Sequence, residues 1–221
     1  GTMGMAGEKY DILLVAEHGL HPPNLDVAHC WHDCMCMIMK SSYSCLSYNT
    51  NDGADTYWNQ YGGTGVTLTA DMKSQMTLKG ADPSKLGRWT WVRIKGKAEE
   101  STVFVSAYRP SKSIIGMSTA WNQHVRYYQS ERDIEEPDVH AIFITYLCTA
   151  LGDLRDLGHH VVLGMDSDND VHNSSVSVAL ADIRIKETVI SNHQGESAPA
   201  TCSRNTQCKP IDSIWISPGL E

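Results

Sequence analysis

Short apolar and alternating stretches along the chain predict a set of β-strands. Ile12–Ala16 is a continuous apolar run followed at once by Glu17, which is typical of a buried strand with a carboxylate at its end. The stretch 88–95 alternates between two faces, as expected for a strand in a sheet. Further strands are predicted at 66–69 after the glycine-rich turn 62–65, and at 102–107, 160–165 and 211–217.

Two longer stretches are predicted to be helices. Apolar residues recur through 138–157 with the period of about 3.6 residues that marks an amphipathic helix, and Gly158 follows as its end. The second helix is predicted over 119–132, and a short one near Ser174. Strands outnumber helices, but the two long helices can cover them. The pattern predicts an α/β (α+β) fold, a four-layer α/β sandwich of mixed β-sheets flanked by helices, in a single domain over residues 1–221.

Composition and charge narrow the class of protein. The chain has 221 residues, of which 41% are apolar, so it can bury a substantial core. Its formal net charge is −8, and no basic stripe of the kind that holds long duplex nucleic acid is found in it. A nuclease of this charge would need metal ions to neutralise the phosphate locally.

The cysteines and the apolar runs bear on cellular location. Seven cysteines, an odd number at irregular spacing, indicate free thiols in a reducing intracellular compartment, with cytoplasm and nucleus both open. No apolar segment near the N-terminus is long enough for a signal peptide or a membrane span, so no membrane association is expected. Residues 1–4 resemble a leader left by cloning and are set aside.

Three carboxylates adjoin predicted strands in the same way. Glu17 follows the first strand, Asp166 ends the strand HVVLGMD, and Asp212 lies in PIDSIWIS. A rigid sheet can fix such side chains at its rim, where hard cations such as Mg²⁺ take one or two carboxylates together with water and substrate phosphates. Each carboxylate taken alone is equally typical of a solvated strand end.

The order of these segments resembles the endonuclease/exonuclease/phosphatase superfamily, and especially the nuclease domains of retroelements. The segments that carry the resemblance are ILLVAEHGL, YGGTGVTLTA, VFVSAYRP, NQHVRYYQ, VVLGMDSDND and PIDSIWIS, which together span most of the chain from Asp11 to Ser217. The resemblance implies a deoxyribonuclease-I-like fold. It also implies a phosphodiesterase dependent on Mg²⁺ (or Mn²⁺), in particular a DNA endonuclease of retroelement type.

The resemblance also implies roles for individual residues. Glu17 would coordinate the metal, and Tyr108 would hydrogen-bond the phosphate or the leaving oxygen. Asp166 would position the attacking water or assist the leaving group. Asp212 would orient a catalytic histidine.

Three further residues are candidates on the two loops that resemble the family's active site. Asp168 stands where the family usually has Asn, so it either serves in phosphate binding, which its charge puts in doubt, or acts as a second metal ligand. Arg204 and Asn205 precede the last strand and are candidate substrate-binding residues, although a solvated loop is an equally good interpretation of Arg204.

The chain departs from the family pattern at both ends. An S-D-H triplet carrying the catalytic histidine and an N-terminal strand with an active-site Asn are both missing. His159, His160, His172 and His193 are the histidines considered as substitutes. A catalytically impaired or truncated domain that acts as a binding or structural module is therefore the alternative function. Trimmed sheets would expose their edges, which predicts a possible homodimer.

A dense group of soft ligands suggests a third function. His29, Cys30, His32, Cys34 and Cys36 lie close together in sequence. Zinc sites need a second pair of ligands further along, and no clean pair follows. The group is interpreted either as part of a zinc-binding interaction domain or as a helix face followed by a strand, the second being favoured.

Overall fold

The computed structural model describes residues 10–20, 25–51, 60–97, 100–113, 116, 118–168, 170–171, 174–192, 201–204 and 207–220. In this part of the chain, the strands are β1 (Ile12–Ala16), β2 (Tyr43–Ser47), β3 (Thr64–Leu68), β4 (Met76–Ala81), β5 (Trp89–Lys95), β6 (Ser101–Tyr108), β7 (His160–Asp166), β8 (Lys186–Glu187), β9 (Cys202–Arg204), β10 (Gln207–Lys209) and β11 (Asp212–Ile216). The helices are α1 (Leu25–Ile38), α2 (Ala70–Gln75), α3 (Ala120–Arg132), α4 (Val139–Asp156), α5 (Ser175–Asp182) and α6 (Val189–Asn192).

The strands form two sheets and one separate hairpin. The larger sheet has six strands in the order β4-β5-β6-β7-β11-β8, and the smaller has three in the order β1-β3-β2. Every pair is antiparallel except β6–β7, which is parallel. A parallel pair needs a long crossover connection, and α3 and α4 provide it. Strands β9 and β10 form the hairpin.

Helix α4 covers the outer face of the six-stranded sheet. The helix begins where the side chain of Asp138 accepts a hydrogen bond from the backbone N–H of Ala141, at 3.0 Å. Its buried side chains recur every three or four residues: Val139, Phe143, Leu147, Leu151 and Leu154. All but Val139 pack in the same core as side chains of α5 and of the sheet, and Val139 packs with Leu86 and Tyr128. Gly158 follows the helix with φ of 82°, the left-handed conformation that the sequence predicts there.

A second apolar layer lies between the two sheets. It joins Val66 and Leu68 of β3 to side chains of β5. At the β1 end, the hydroxyl of Ser106 donates a hydrogen bond to the carbonyl oxygen of Val15, at 2.7 Å. Gly164 of β7 allows close approach here, because a Cβ at this position would lie 2.7 Å from Cδ1 of Leu14. These contacts hold the end of β1 against β6 and β7.

Helix α1 lies against the other face of the three-stranded sheet. The indole N–H of Trp31 donates to the hydroxyl of Ser44, at 3.1 Å. Neighbouring Cys45 points into the layer between the sheets, so Ser44 points away from that layer. The order of layers is therefore α1, small sheet, large sheet, and then α4 with α5. This confirms the predicted α/β sandwich of mixed sheets flanked by helices.

The boundaries of α3, α4 and α5 agree closely with those of the three predicted helices. The strands differ more from the prediction. The strand predicted at 66–69 is Thr64–Leu68, because Thr69 instead caps α2 and accepts a hydrogen bond from the N–H of Met72. Strands β2 and β4 were not predicted from the sequence. Within the described ranges, no helix combines the length and the apolar character needed to cross a membrane.

Candidate functional site

Three neighbouring strands of the large sheet bring their side chains to one level at its rim. Tyr108, the last residue of β6, pairs with Asp166 at the end of β7, and Asp166 pairs in turn with Asp212 at the start of β11. Side chains of directly paired residues stand on the same face of a sheet. The phenol and the two carboxylates therefore line up in a row. The strand register thus brings together three residues that the sequence predicted as site residues.

Glu17 joins this row from the small sheet. It follows β1 directly, and its Oε1 accepts a hydrogen bond from the hydroxyl of Tyr108, at 3.0 Å. The side chain is exposed, so its carboxylate is open to solvent and to ligands. The backbone of Glu17 is left-handed, with φ of 51°, an uncommon conformation for a residue other than glycine. Such strain is concentrated at functional sites, where the surrounding structure enforces it.

His18 fixes the turn that presents Glu17, and it was not singled out from the sequence. Its Nδ1 accepts from the N–H of Leu20 at 3.0 Å, so the proton lies on Nε2, which donates to the carbonyl oxygen of Ser47 at 3.1 Å. Burial lowers the pKa of His18 to about 4 and keeps the ring neutral. Gly63 makes room for the ring, since a Cβ there would lie 2.3 Å from Cε1 of His18.

The loop after β7 is held by backbone contacts on both sides of Asp166. The N–H of Asp168 donates to Oδ1 of Asp166 at 3.1 Å, and Asp168 is left-handed with φ of 44°. The N–H and the hydroxyl of Ser167 both donate to the carbonyl oxygen of Ile211, at 2.9 and 2.8 Å. Asp168 is therefore fixed next to Asp166, at the edge of the row.

Crowded carboxylates and burial shift the pKa values in the site. Burial raises the pKa of Asp166 to about 6, with the charges of Asp212, Glu17 and Asp168 acting in the same direction. Burial also raises the pKa of Tyr108 above its usual value, again assisted by the charge of Glu17. A cation placed among these groups would relieve their mutual repulsion. The arrangement suits a divalent cation held by one or two carboxylates and water.

The raised pKa of Asp166 makes stability depend on pH. Unfolded, this carboxyl has an ordinary pKa of 3.8, so between that value and about 6 the folded state keeps a proton that the unfolded state has lost. The contribution of Asp166 to the free energy of unfolding therefore falls as pH rises through this window. With a chelator present, the unmodified chain should therefore lose melting temperature between pH 5 and pH 7. We expect Asp166→Asn to reduce this loss.

The exposed Asp156 at the end of α4 offers a matched control. Asp156→Asn should leave the difference in melting temperature between pH 5 and pH 7 as it is in the unmodified chain. Equal pH dependence in the Asp166→Asn variant and the unmodified chain would contradict the raised pKa of Asp166.

A groove of about 600 Å³ opens beside the row, between the sheets. Its walls are largely apolar, with Leu14 from β1, Val162 from β7 and Ile214 from β11, and its rim includes Asp166 and Asp212. The large sheet is wider than the small one, so the β7–β11 part of its inner face is left open at this place.

The remaining predicted residues are placed only in part. Arg204 is the last residue of β9, and its side chain is not among those described. Asn205, His172 and His193 lie outside the described residues. Asp212 is exposed and its N–H donates to the hydroxyl of Thr201, at 3.0 Å.

Two of the histidines considered as substitutes for the missing catalytic one are in the wrong place. His160 begins β7 and Asp166 ends it, which puts the two about 20 Å apart. His159 contacts the hydroxyl of Ser101 at 2.8 Å, at the same far end of the sheet. The substitution considered for His159 and His160 is therefore wrong.

The soft-ligand group lies entirely on α1. Cys30 and Cys34 are exposed, and the sulfur of Cys36 lies 3.6 Å from Nε2 of His32. In the described ranges, no three His, Cys, Asp or Glu side chains are close enough together to hold a metal by themselves. The group is a helix face, as the favoured interpretation had it, and the structure gives the zinc hypothesis no support.

Two facing β-sheets flanked by helices form the deoxyribonuclease-I-like α/β fold. Comparison with solved structures, among them an exonuclease, an AP endonuclease and phosphatases, shows this fold in the chain. The catalytic domain of Xenopus laevis APE2 matches with a TM-score of 0.60 and 13% identity, over 96% of this chain and 75% of that one. A Neisseria 3′ phosphatase bound to product DNA hairpin, NExo, matches with a TM-score of 0.58 and 13% identity, over 97% and 79%.

A third solved structure with this fold is that of a phosphatase named for a sugar phosphate. The mannosyl-6-phosphatase of Bacteroides thetaiotaomicron matches with a TM-score of 0.54 and 14% identity, over 95% of this chain and 72% of that one. No family model and no curated protein sequence matches the chain. The fold neighbours are thus nucleases and phosphatases, at identities that establish the fold alone.

Proposed function

We propose that the chain is a divalent-metal-dependent phosphodiesterase, in particular a DNA endonuclease of retroelement type. The observation that carries the proposal is the row of Tyr108, Asp166 and Asp212 with Glu17 hydrogen-bonded to it. Carboxylates alone would repel a phosphodiester, so the row needs a cation between it and the substrate. Exposed Glu17 would hold Mg²⁺ or Mn²⁺, with Asp168 as a second candidate ligand.

The chemistry of the site follows from the proton states of its residues. Bound at Glu17, the divalent ion would polarise a phosphoryl oxygen and offset the charge that develops on the leaving group. Asp166, with its pKa of about 6, can orient the attacking water and accept its proton near neutral pH. Tyr108 stays a phenol at neutral pH, and its one hydroxyl proton, which Glu17 accepts in this structure, can turn to a phosphate oxygen once Glu17 binds the cation.

Asp212 acts on the site through Asp166. The two residues are direct partners across β7 and β11, and the charge of Asp212 helps to raise the pKa of Asp166. In the part of the chain that the structure describes, the hydrogen bonds of the histidine rings go to groups other than Asp212. On this basis Asp212 is proposed to tune the base through Asp166.

The preference for a nucleic-acid diester rests on the retroelement-like motifs and on the nucleases among the fold neighbours, a 3′-5′ exonuclease from Neisseria and an AP endonuclease from Archaeoglobus fulgidus. The phosphatases among them make a monoester the competing substrate. The two are separated by comparing hydrolysis of bis(p-nitrophenyl) phosphate and p-nitrophenyl phosphate with Mg²⁺ or Mn²⁺. Faster hydrolysis of the diester supports the proposal, and hydrolysis of the monoester alone would replace it with a phosphatase.

The alternative is a catalytically impaired domain that binds ligands or serves a structural role. The placement of His159 and His160 far from Asp212 favours it, since they leave that carboxylate without a histidine from β7. Such a domain would still bind Mn²⁺ through Glu17 but would hydrolyse neither ester. Loss of Mn²⁺ binding in Glu17→Ala, together with absence of hydrolysis in the unmodified chain, would establish this alternative.

The compartment is proposed on the state of the thiols. Of the seven cysteines, five have described side chains and all five are free: Cys30, Cys34, Cys36, Cys45 and Cys148. Free thiols persist under reducing conditions, so the proposed location is intracellular. Cytoplasm and nucleus remain equally good assignments.

We also propose that the open groove pairs two copies of the chain. Among the described strands, β1 has β3 as its one partner and so presents a free edge beside the groove. Ile214 on the groove floor is 46% exposed. A strand from a second copy would satisfy the edge and cover this apolar surface.

The dimer is tested by light scattering across a concentration series. We expect a mass that rises towards twice that of the chain, and Ile214→Glu should shift the midpoint to at least about tenfold higher concentration. Val178 on α5, which is 64% exposed and lies outside the groove, is the control for an added surface charge. A monomeric mass at every concentration would contradict the proposal.

A further inference from the structure

Arg109 is a buried arginine directly beside the row of site residues. It follows Tyr108 in sequence, and its backbone N–H donates to the carbonyl oxygen of Asp166, at 2.9 Å. Its side chain is 4% exposed, and Nη1 donates to the carbonyl oxygen of Ser167, also at 2.9 Å. Arg109 thus contacts the backbone on both sides of the bend between Asp166 and Asp168.

The guanidinium is incompletely paired. Its Nε is buried and has no hydrogen-bond partner among the described residues. Burial lowers the pKa of Arg109, while the charges of Asp168 and Asp138 raise it, in that order of size. A buried guanidinium is costly unless an opposite charge lies nearby, so Arg109 depends on these carboxylates. Asp168 in turn lies beside Asp166, whose pKa its charge helps to raise, so a cation next to this loop offsets negative charge there.

We propose that Arg109 is a positioning residue that holds the 166–168 loop and offsets the negative charge of Asp168 at the phosphate site. Arg109 does not contact the substrate itself. It supports the carbonyl oxygen of Ser167 and supplies positive charge to the side of the loop opposite the solvent. The part of this inference that concerns phosphate rests on the proposed function. The charge coupling of Arg109 to Asp168, through the loop whose Ser167 carbonyl it holds, does not.

A double-mutant cycle on unfolding tests the pairing without any activity. Arg109→Met and Asp168→Asn are made singly and together, and urea unfolding is measured with a chelator. We expect Arg109→Met to raise the unfolding equilibrium constant about tenfold more in the unmodified chain than in the Asp168→Asn background, as coupled neighbours do. Arg109→Lys, which keeps the charge, should retain most of that coupling and covers the case in which Arg109→Met fails to fold.

Asp138 gives a matched control because it is the other carboxylate that acts on Arg109. It caps α4, and asparagine caps helices equally well, so Asp138→Asn keeps the cap and removes only the charge. The coupling of Arg109 to Asp138 should be smaller than its coupling to Asp168. Equal effects of Arg109→Met with and without Asp168→Asn would overturn the proposal.

Diester hydrolysis by the same variants tests the consequence for the site. At saturating Mn²⁺, Arg109→Met should lower kcat/KM about tenfold to a hundredfold, mainly through KM, and adding Asp168→Asn should restore most of it. A purely structural role for Arg109 would give no such rescue, and absence of rescue overturns the charge-offset role. If no variant and not even the unmodified chain hydrolyses the diester, the proposed function fails, and the unfolding cycle still decides whether Arg109 pairs with Asp168.

Discussion

Asp166→Asn and Glu17→Ala will each reduce metal-dependent diester hydrolysis by about a hundredfold or more, which is the usual loss when a general base or a metal ligand is removed. Asn has the shape of Asp166 but cannot accept the proton of the attacking water. Alanine at position 17 removes the carboxylate proposed to hold the cation, and it also leaves the hydroxyl of Tyr108 without its acceptor. The expected loss is in kcat for Asp166→Asn and in the apparent metal affinity for Glu17→Ala.

The two variants need controls that remove an acid elsewhere. Asp156 on α4 and Glu131 on α3 are both exposed and belong to helices that do not contribute a site residue. Asp156→Asn and Glu131→Ala should keep the rate within about twofold, since surface substitutions of this kind have small effects. A rate for Asp166→Asn equal to that of Asp156→Asn would remove Asp166 from the mechanism.

Asp82→Ala will destabilise the fold by about 3–5 kcal/mol, the range found when one partner of a buried ion pair is removed. Nε and Nη2 of Arg88 donate to the two carboxylate oxygens of Asp82, at 2.6 and 2.8 Å. Both side chains are almost wholly buried. Burial alone would raise the pKa of Asp82, but the hydrogen bonds and charge of Arg88 lower it overall. The pair therefore stabilises the fold at neutral pH, and its contribution falls as acid protonates Asp82.

The size of the loss reflects what remains behind in the variant. The guanidinium of Arg88 also donates to the hydroxyl of Tyr128 at 2.7 Å and lies 4.6 Å from the centre of the Trp89 ring, so it cannot move out to water. Asp82→Ala would leave this charge buried without its partner. Adding Arg88→Met should recover most of the lost free energy of unfolding, measured by urea denaturation. A loss under about 1 kcal/mol in Asp82→Ala would contradict the account of this pair.

The sequence predicts those parts of the fold whose burial follows a simple period. Strand β1 has the predicted bounds because its five residues are a continuous apolar run, although all five are only half-buried. Helix α4 matches the predicted helix 138–157 to within one residue at each end, because it buries a regular set of side chains. Strand β4 was missed because it is an edge strand with mostly exposed side chains and a glycine. Strand β2 was missed because its polar Ser44 serves the contact with α1, which the local pattern does not show.

The site residues likewise fall into those that the local sequence pattern predicts and those that it does not. Glu17, Asp166 and Asp212 could be found because each adjoins an apolar strand, and the strand register then brings Asp166 and Asp212 together. The hydrogen bond between Tyr108 and Glu17 depends on how the two sheets face each other, which no local pattern encodes. His18 and Arg109 were missed for the same reason, although each stands next to a predicted site residue.

The most direct test of the central claim is nicking of supercoiled plasmid DNA by the unmodified chain, with Mg²⁺ or Mn²⁺ and with a chelator. We expect conversion of supercoiled to open-circular plasmid only when metal is present. Glu17→Ala and Asp166→Ala should abolish this conversion. Absence of nicking by the folded, unmodified chain with either metal, or equal nicking by Glu17→Ala, would contradict it.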